Sequence, residues 1–371
     1  MDSTVKNGSM TENEVPGRRG TRSPSDDYFV PTRRQNLTEL SIILLVVAGL
    51  LGYFFSIAFA GPAGFANPNP VGTYHYGGVP RAIPPWLGIA DFAQLFQNMS
   101  IPTVILLWAY FLWQSWKDGR MHPGILVMVT ITIVAVVMEP LINWGMYLSF
   151  DPRVLHLPPT LPWMRRAPNV EPMSCFYGYP YYFLLPALLA KVIYDRLARH
   201  ATSDAWLLHH PLLSLALLGW LTGMAFDLVV ELIVLRAGLY IYSQVWPAIS
   251  IDVGKAWQFP AMMAVPTIGI SMGWCAVLLH RDADGNTIVD RIARRFPGLR
   301  RRPTIGAVIV SAMLGCVSYS VYTGAFAAQR ALGLATSLAK PWPYEDSKIY
   351  DPDRLYERAG NKGPFYGRQQ P

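Results

Sequence analysis

Residues 125–150 read ILVMVTITIVAVVMEPLINWGMYLSF, an apolar run that meets its first charged group at Glu139 and a proline directly after it. A helix needs about 20 such residues to cross a hydrocarbon layer of about 30 Å. The run is long enough. Six further stretches have the same character: Leu40–Ala60, Met99–Trp113, Phe176–Tyr194, Leu212–Leu235, Trp257–Leu279 and Ile305–Ala328. The reading is therefore an all-α, polytopic transmembrane helical bundle with about seven spans, of which Met99–Trp113 is the shortest.

Composition agrees. The chain is 52% hydrophobic and only 15% charged, too apolar for a soluble protein of 371 residues. Twelve Trp and nineteen Tyr suit a protein with many rings at the headgroup level. The net charge of +7 comes from basic residues in short connections between apolar runs rather than on one face, so it speaks for membrane topology and against nucleic acid. Alternate connections beginning with the N-terminal tail hold 18 Lys and Arg, the others 6. The positive-inside rule then gives a multi-pass cell-membrane protein with a cytoplasmic N-terminus and, after an odd number of spans, an external C-terminus.

Three regions follow: a polar, disordered cytoplasmic tail over residues 1–38, a helical domain over 39–330 and a polar C-terminal tail over 331–371. The first apolar run starts after a long polar segment, which favours a retained span over a signal peptide. The connections Gly61–Gln97 and Asp151–Cys175 are long and rich in Pro, Gly and aromatic residues. They suit a lid over the bundle. The neighbouring Tyr177, Tyr179, Tyr181 and Tyr182 read first as an interfacial belt. No repeat marks the two halves as a transporter's.

Ionisable groups inside a bilayer are costly, which makes each a functional candidate. Here they are Glu139 in the third span and Asp227 and Glu231 in the fifth. Asp227 and Glu231 are four residues apart, one turn on one helical face. Two close acids rarely ionise together, so the pair is expected to hold a proton that it can donate. If the two spans begin at Pro123 and Pro211, Glu139 and Asp227 both lie roughly 24 Å along their helices, at one level in the outer half of the membrane. Pro140 removes a backbone donor and should kink the helix beside Glu139. Asn143 lies one turn on, with Trp144 beside it. Arg236 and Tyr240 follow where the fifth span ends at the outer surface. Catalytic roles are therefore assigned to Glu139, Asp227 and Glu231, and substrate contacts to Asn143, Trp144, Arg236 and Tyr240. Interhelical hydrogen bonding is the bland alternative for Glu139 and Asn143. Arg236 could equally reach outer headgroups, and Tyr242 fits the belt. No His or Cys spacing suggests a metal, and no cofactor is expected; Cys175, Cys275 and Cys316 are widely separated.

The groups Met138-Glu139-Pro140 with Asn143-Trp144, Phe226-Asp227-Leu228-Val229-Val230-Glu231, and Arg236-Ala237-Gly238-Leu239-Tyr240 resemble the AveC-type spirocyclase family of actinobacterial membrane proteins, over the chain from first span to last. The resemblance implies secondary metabolism and a spiroketal-type cyclisation or dehydration of an apolar, polyketide- or lipid-like substrate. Protonation of a carbonyl or hemiketal oxygen, loss of water and deprotonation of the attacking hydroxyl can all be served by carboxyl groups. A proton- or cation-coupled transporter is the alternative, because intramembrane acids at helical spacing also make proton relays. An interaction subunit that holds a partner enzyme at the membrane is the third reading.

Overall fold

The computed structural model describes residues 31–60, 87–89, 91–151, 154–157, 171–344, 349–363 and 365–366. Most of the expected N-terminal tail (residues 1–30) and much of the two long connections lie outside these residues. Seven long helices form the bundle: α1 (Arg33–Ala60), α2 (Phe92–Asp118), α3 (Pro123–Met146), α5 (Tyr179–His200), α7 (Pro211–Arg236), α8 (Ala261–Leu278) and α11 (Pro303–Ala331). Short helices α4 (Ser174–Tyr177), α6 (Trp206–His209), α9 (Ile288–Ala293), α10 (Pro297–Arg300) and α12 (Leu355–Arg358) punctuate the connections. Six of the long helices are long and apolar enough to cross a membrane. The exception is α5, whose second half carries Lys191, Asp195, Arg196 and Arg199.

Prolines set where the spans begin. Pro123, Pro211 and Pro303 open α3, α7 and α11, where a missing N–H costs nothing and the fixed φ is already helical. The starting points used for the depth estimate thus hold. Pro140 lies inside α3 without ending it, and the helix stops instead at Tyr147, which turns to φ 54° and returns its amide to Asn143 and Trp144 carbonyls. The second span is a helix of 27 residues, well beyond the short apolar run in its sequence.

Burial orders the bundle. In α3, 72% of the apolar stretch is buried, against 22% in α1 and 17% in α2. So α3 is central and the first two helices are peripheral, with Leu45, Val46 and Leu106 on their exposed faces. The Thr130 and Ser311 hydroxyls meet at 2.6 Å and tie α3 to α11. Glu39 of α1, 2% exposed, accepts the backbone N–H groups of Thr304 (3.0 Å) and Ile305 (3.3 Å), capping α11 from a neighbouring helix. Removing that acceptor strands one buried and one partly buried donor, so Glu39→Ala is expected to destabilise by about 1–3 kcal/mol. A lowered melting midpoint in detergent, with Glu39→Gln losing less, is the check.

One end of the bundle is capped by short strands and the C-terminal segment. Strands β1 (Leu148–Phe150) and β4 (Tyr240–Tyr242) pair antiparallel, as do β2 (His156–Leu157) with β3 (Glu171–Pro172) and β5 (Gln244–Val245) with β6 (Ser337–Leu338). Near the C-terminus β7 (Ile349–Tyr350) runs parallel to β8 (Phe365–Tyr366). Tyr344, Tyr350 and Tyr356 are buried here. The Tyr344 hydroxyl donates to the Ser149 carbonyl at 3.2 Å and that of Tyr356 to the Ala339 carbonyl at 2.8 Å. The segment that reads as a polar tail is thus in large part folded onto the bundle.

Candidate active site

Apart from Glu39 at the start of α1, the buried acids of the described long helices lie toward the capped end, where α3 and α7 finish and α5 starts. Glu139, Asp227 and Glu231 are 0%, 1% and 6% exposed. Each is met by tyrosine rather than by a cation. Glu139 accepts Tyr179 at 2.7 Å on one oxygen and Tyr319 of α11 at 3.2 Å on the other. Asp227 accepts a hydrogen bond from Tyr182, and Glu231 accepts Tyr240 at 2.7 Å and Tyr242 at 3.3 Å. A neutral donor holds a carboxylate in place without the fixed counter-charge that would lock its proton off.

The link between the two acid helices is therefore α5. Tyr179 and Tyr182 stand three residues apart on one face, ring centroids 6.0 Å apart, one bound to Glu139 and the other to Asp227. This corrects the interfacial-belt reading of these residues: they point inward, Tyr177 binds Ser100 at 3.2 Å, and Tyr181 borders the cavity described next. Tyr242 likewise is fully buried. Tyr240 and Tyr242 do alternate along an extended strand, which sends both side chains to Glu231.

A cavity of about 280 Å³ opens among these groups. Its apolar wall is built from Met146, Leu148, Phe150, Phe226, Val230, Val234, Leu239 and Ile268. Its polar lining has two poles: Asn143, Cys175 and Tyr179 at one, Glu231, Tyr182, Tyr240 and Tyr242 at the other, with Tyr322 also on the wall. Such a site is an apolar container with a few convergent polar groups, the usual form of a small-molecule pocket.

Of the residues singled out in the sequence, Glu231, Asn143 and Tyr240 border this cavity. Glu139 and Asp227 stand behind its lining, bound to Tyr179 and Tyr182, which do border it. Two lie elsewhere. Trp144 has the Arg330 guanidinium 4.3 Å from its ring centre and donating to its carbonyl. Arg236 pairs with Asp252 at 3.0 Å and not with Glu231.

The first pole contains a residue that sequence reasoning missed. Glu171, on β3 in the connection between α3 and α5, is fully buried and takes Asn143 Nδ2–H on its two oxygens at 3.0 and 3.2 Å. Its burial and the Glu139 carboxylate beside it hold Glu171 well above the usual carboxylate range, against the opposing Asn143 amide. Ligating atoms of Glu139, Glu171 and Cys175 all lie within 4.8 Å of one another. Burial and the same two carboxylates push the Cys175 thiol up, so it stays protonated unless a cation approaches. No depth argument could find Glu171, because it is outside every span.

The profile of the family described as "Spirocyclase AveC-like" matches residues 116–350. The chain belongs to the AveC-like spirocyclase family. The match is narrower at its start than the resemblance implied, leaving out α1 and nearly all of α2, and it runs past α11 into the capping segment. Both AveC-like poles fall within it, Glu171 and Cys175 included. No curated protein and no solved structure matches the chain.

Proposed function

We propose that this AveC-like protein is a membrane enzyme of secondary metabolism that closes a ring, with loss of water, on an apolar polyketide- or lipid-like substrate. The observation that carries the reading is the apolar cavity with Glu231 on its wall, Asp227 one turn behind it and tyrosine hydroxyls on both. The family suggests spiroketal-type chemistry, and these side chains fit it. The Glu231 carboxyl gives its proton to a hemiketal hydroxyl, which leaves as water. The resulting carboxylate faces the oxocarbenium ion and then takes the proton of the attacking hydroxyl, so the acid is restored at the end of the cycle. Tyr240 and Tyr242 steady the carboxylate between the two transfers, Asp227 is its partner in holding the proton, and Glu139 marks the opposite pole. Apolar walls keep bulk water from reopening the cation. With the N-terminus cytoplasmic, the cavity lies in the outer half of the bilayer.

The test is metabolite and lipid profiling of cells that carry wild-type protein, Asp227→Asn or Glu231→Gln at matched membrane abundance. A precursor heavier than the product by one water is expected to accumulate in both variants. Unchanged profiles, together with Asp227-dependent proton flux in liposomes, would replace the enzyme with a proton-coupled transporter.

A further inference from the structure

The first pole is a buried concentration of acid without a counter-charge. Glu139 and Glu171 are 0% exposed and Cys175 is 2% exposed. Among the described residues the ion pairs engage other acids, Asp195, Asp252, Asp282, Asp353 and Glu357, and none reaches Glu139 or Glu171. Buried carboxylates are ordinarily paired, protonated or bound to a metal. A second observation selects among these. Asn143 is fully buried on the cavity wall and spends its Nδ2–H on Glu171, while its Oδ1 has no partner. Both Glu171 oxygens face the Nδ2–H, so a proton on Glu171 does not reach Oδ1 in this orientation of the amide. A water carried by a metal ion at the same pole would supply its donor.

We propose that Glu139, Glu171 and Cys175 bind a single divalent cation of the zinc type, open to the cavity on the side of Asn143. The donor set suits such an ion: two carboxylates and a thiolate are ligands that zinc accepts. Three protein ligands with one open position is the arrangement of catalytic rather than structural zinc sites. A shared spread of 4.8 Å needs only a modest contraction to reach ligating distances of about 2.0–2.3 Å. Binding releases the thiol proton and any carboxyl proton to solvent, and the dication reduces the charge of the two carboxylates and the thiolate to a net −1. A cation there would polarise a substrate carbonyl at the pole opposite Glu231. The donor set itself does not depend on the cyclisation reading.

The experiment uses the purified full-length protein in detergent, stripped with chelator, dialysed and titrated with Zn(II), then with Co(II) as a spectroscopic probe. Wild type is expected to bind one equivalent, and its Co(II) form to show a near-ultraviolet thiolate charge-transfer band. Cys175→Ser should lose that band. Glu171→Gln should weaken binding by more than about 100-fold, beyond the ~10–100-fold effect of losing a supporting group around a metal. Glu231→Gln, at the other pole, should still bind one equivalent. A monodisperse wild-type protein that takes up no metal would overturn the proposal. So would binding that survives both Cys175→Ser and Glu171→Gln. If Glu171→Gln proves unstable, the wild-type stoichiometry and the cobalt spectrum of Cys175→Ser decide the matter, and neither readout involves turnover.

Discussion

Glu231→Gln is expected to lower product formation by about 10²–10⁴-fold, the range that a positioned general acid–base contributes. The change keeps the side chain's size and one oxygen able to accept from Tyr240, which holds it at 2.7 Å, so the cavity should keep its shape. What is removed is the ability to give and retake a proton. Glu231→Asp provides the contrast: the acid survives but is drawn back along α7, away from Tyr240, and a reduced but measurable rate is expected. Rates measured per folded protein in membranes, with abundance determined alongside, check both. A Glu231→Gln rate within a few-fold of wild type would remove the residue from the chemistry.

The second large effect concerns the pair of helices that carries this acid. A Cβ built on Gly273 of α8 would lie 2.7 Å from the Ala216 carbonyl oxygen of α7, and one on Gly219 would lie 2.9 Å from the Gly273 Cα. Backbone meets backbone here, so nothing flexible can give way. Gly273→Val is expected to destabilise by about 1–3 kcal/mol or more, as overpacking does, and to force α7 away from α8. Because Glu231 rides on α7, activity per folded molecule should fall as well. Gly315→Ala in α11 makes a sharper comparison than a surface control. Its new methyl would meet Val134 Cγ2 at 3.0 Å and Thr130 Cγ2 at 3.1 Å, both side-chain atoms, and a smaller loss is expected. Melting midpoints in detergent and size-exclusion profiles measure the difference.

Much of this architecture is legible in the sequence because a bilayer imposes a length and a polarity on every span. The run Ile125–Phe150 announces α3, and Pro123 and Pro211 fix the level at which Glu139 and Asp227 sit. The pair Asp227 and Glu231 follows from helical spacing alone. The rest depends on contacts between segments distant in sequence. Nothing in Tyr179 and Tyr182 separates an inward-facing tyrosine from one at the headgroups until α5 is packed between α3 and α7. Glu171 belongs to a connection, where an acid is ordinarily solvated, and it is buried where β3 pairs with β2 and its carboxylate meets Asn143 of α3. Arg236 is close to Glu231 along the chain yet points to Asp252, because five residues of helix turn it to another side. The segment after α11 is polar enough to read as a tail, but its tyrosines anchor it to carbonyls of β1 and of its own chain.

The central claim is that acid side chains around one sheltered cavity remove water from a substrate. Its most direct test adds purified wild-type protein, in detergent, to an extract of cells lacking the protein, and follows the accumulated precursor by mass spectrometry. Conversion to a species lighter by one water, with Glu231→Gln inert in the same extract, is the predicted result. An extract left unchanged by folded wild-type protein, or converted equally well by Glu231→Gln, would contradict the claim.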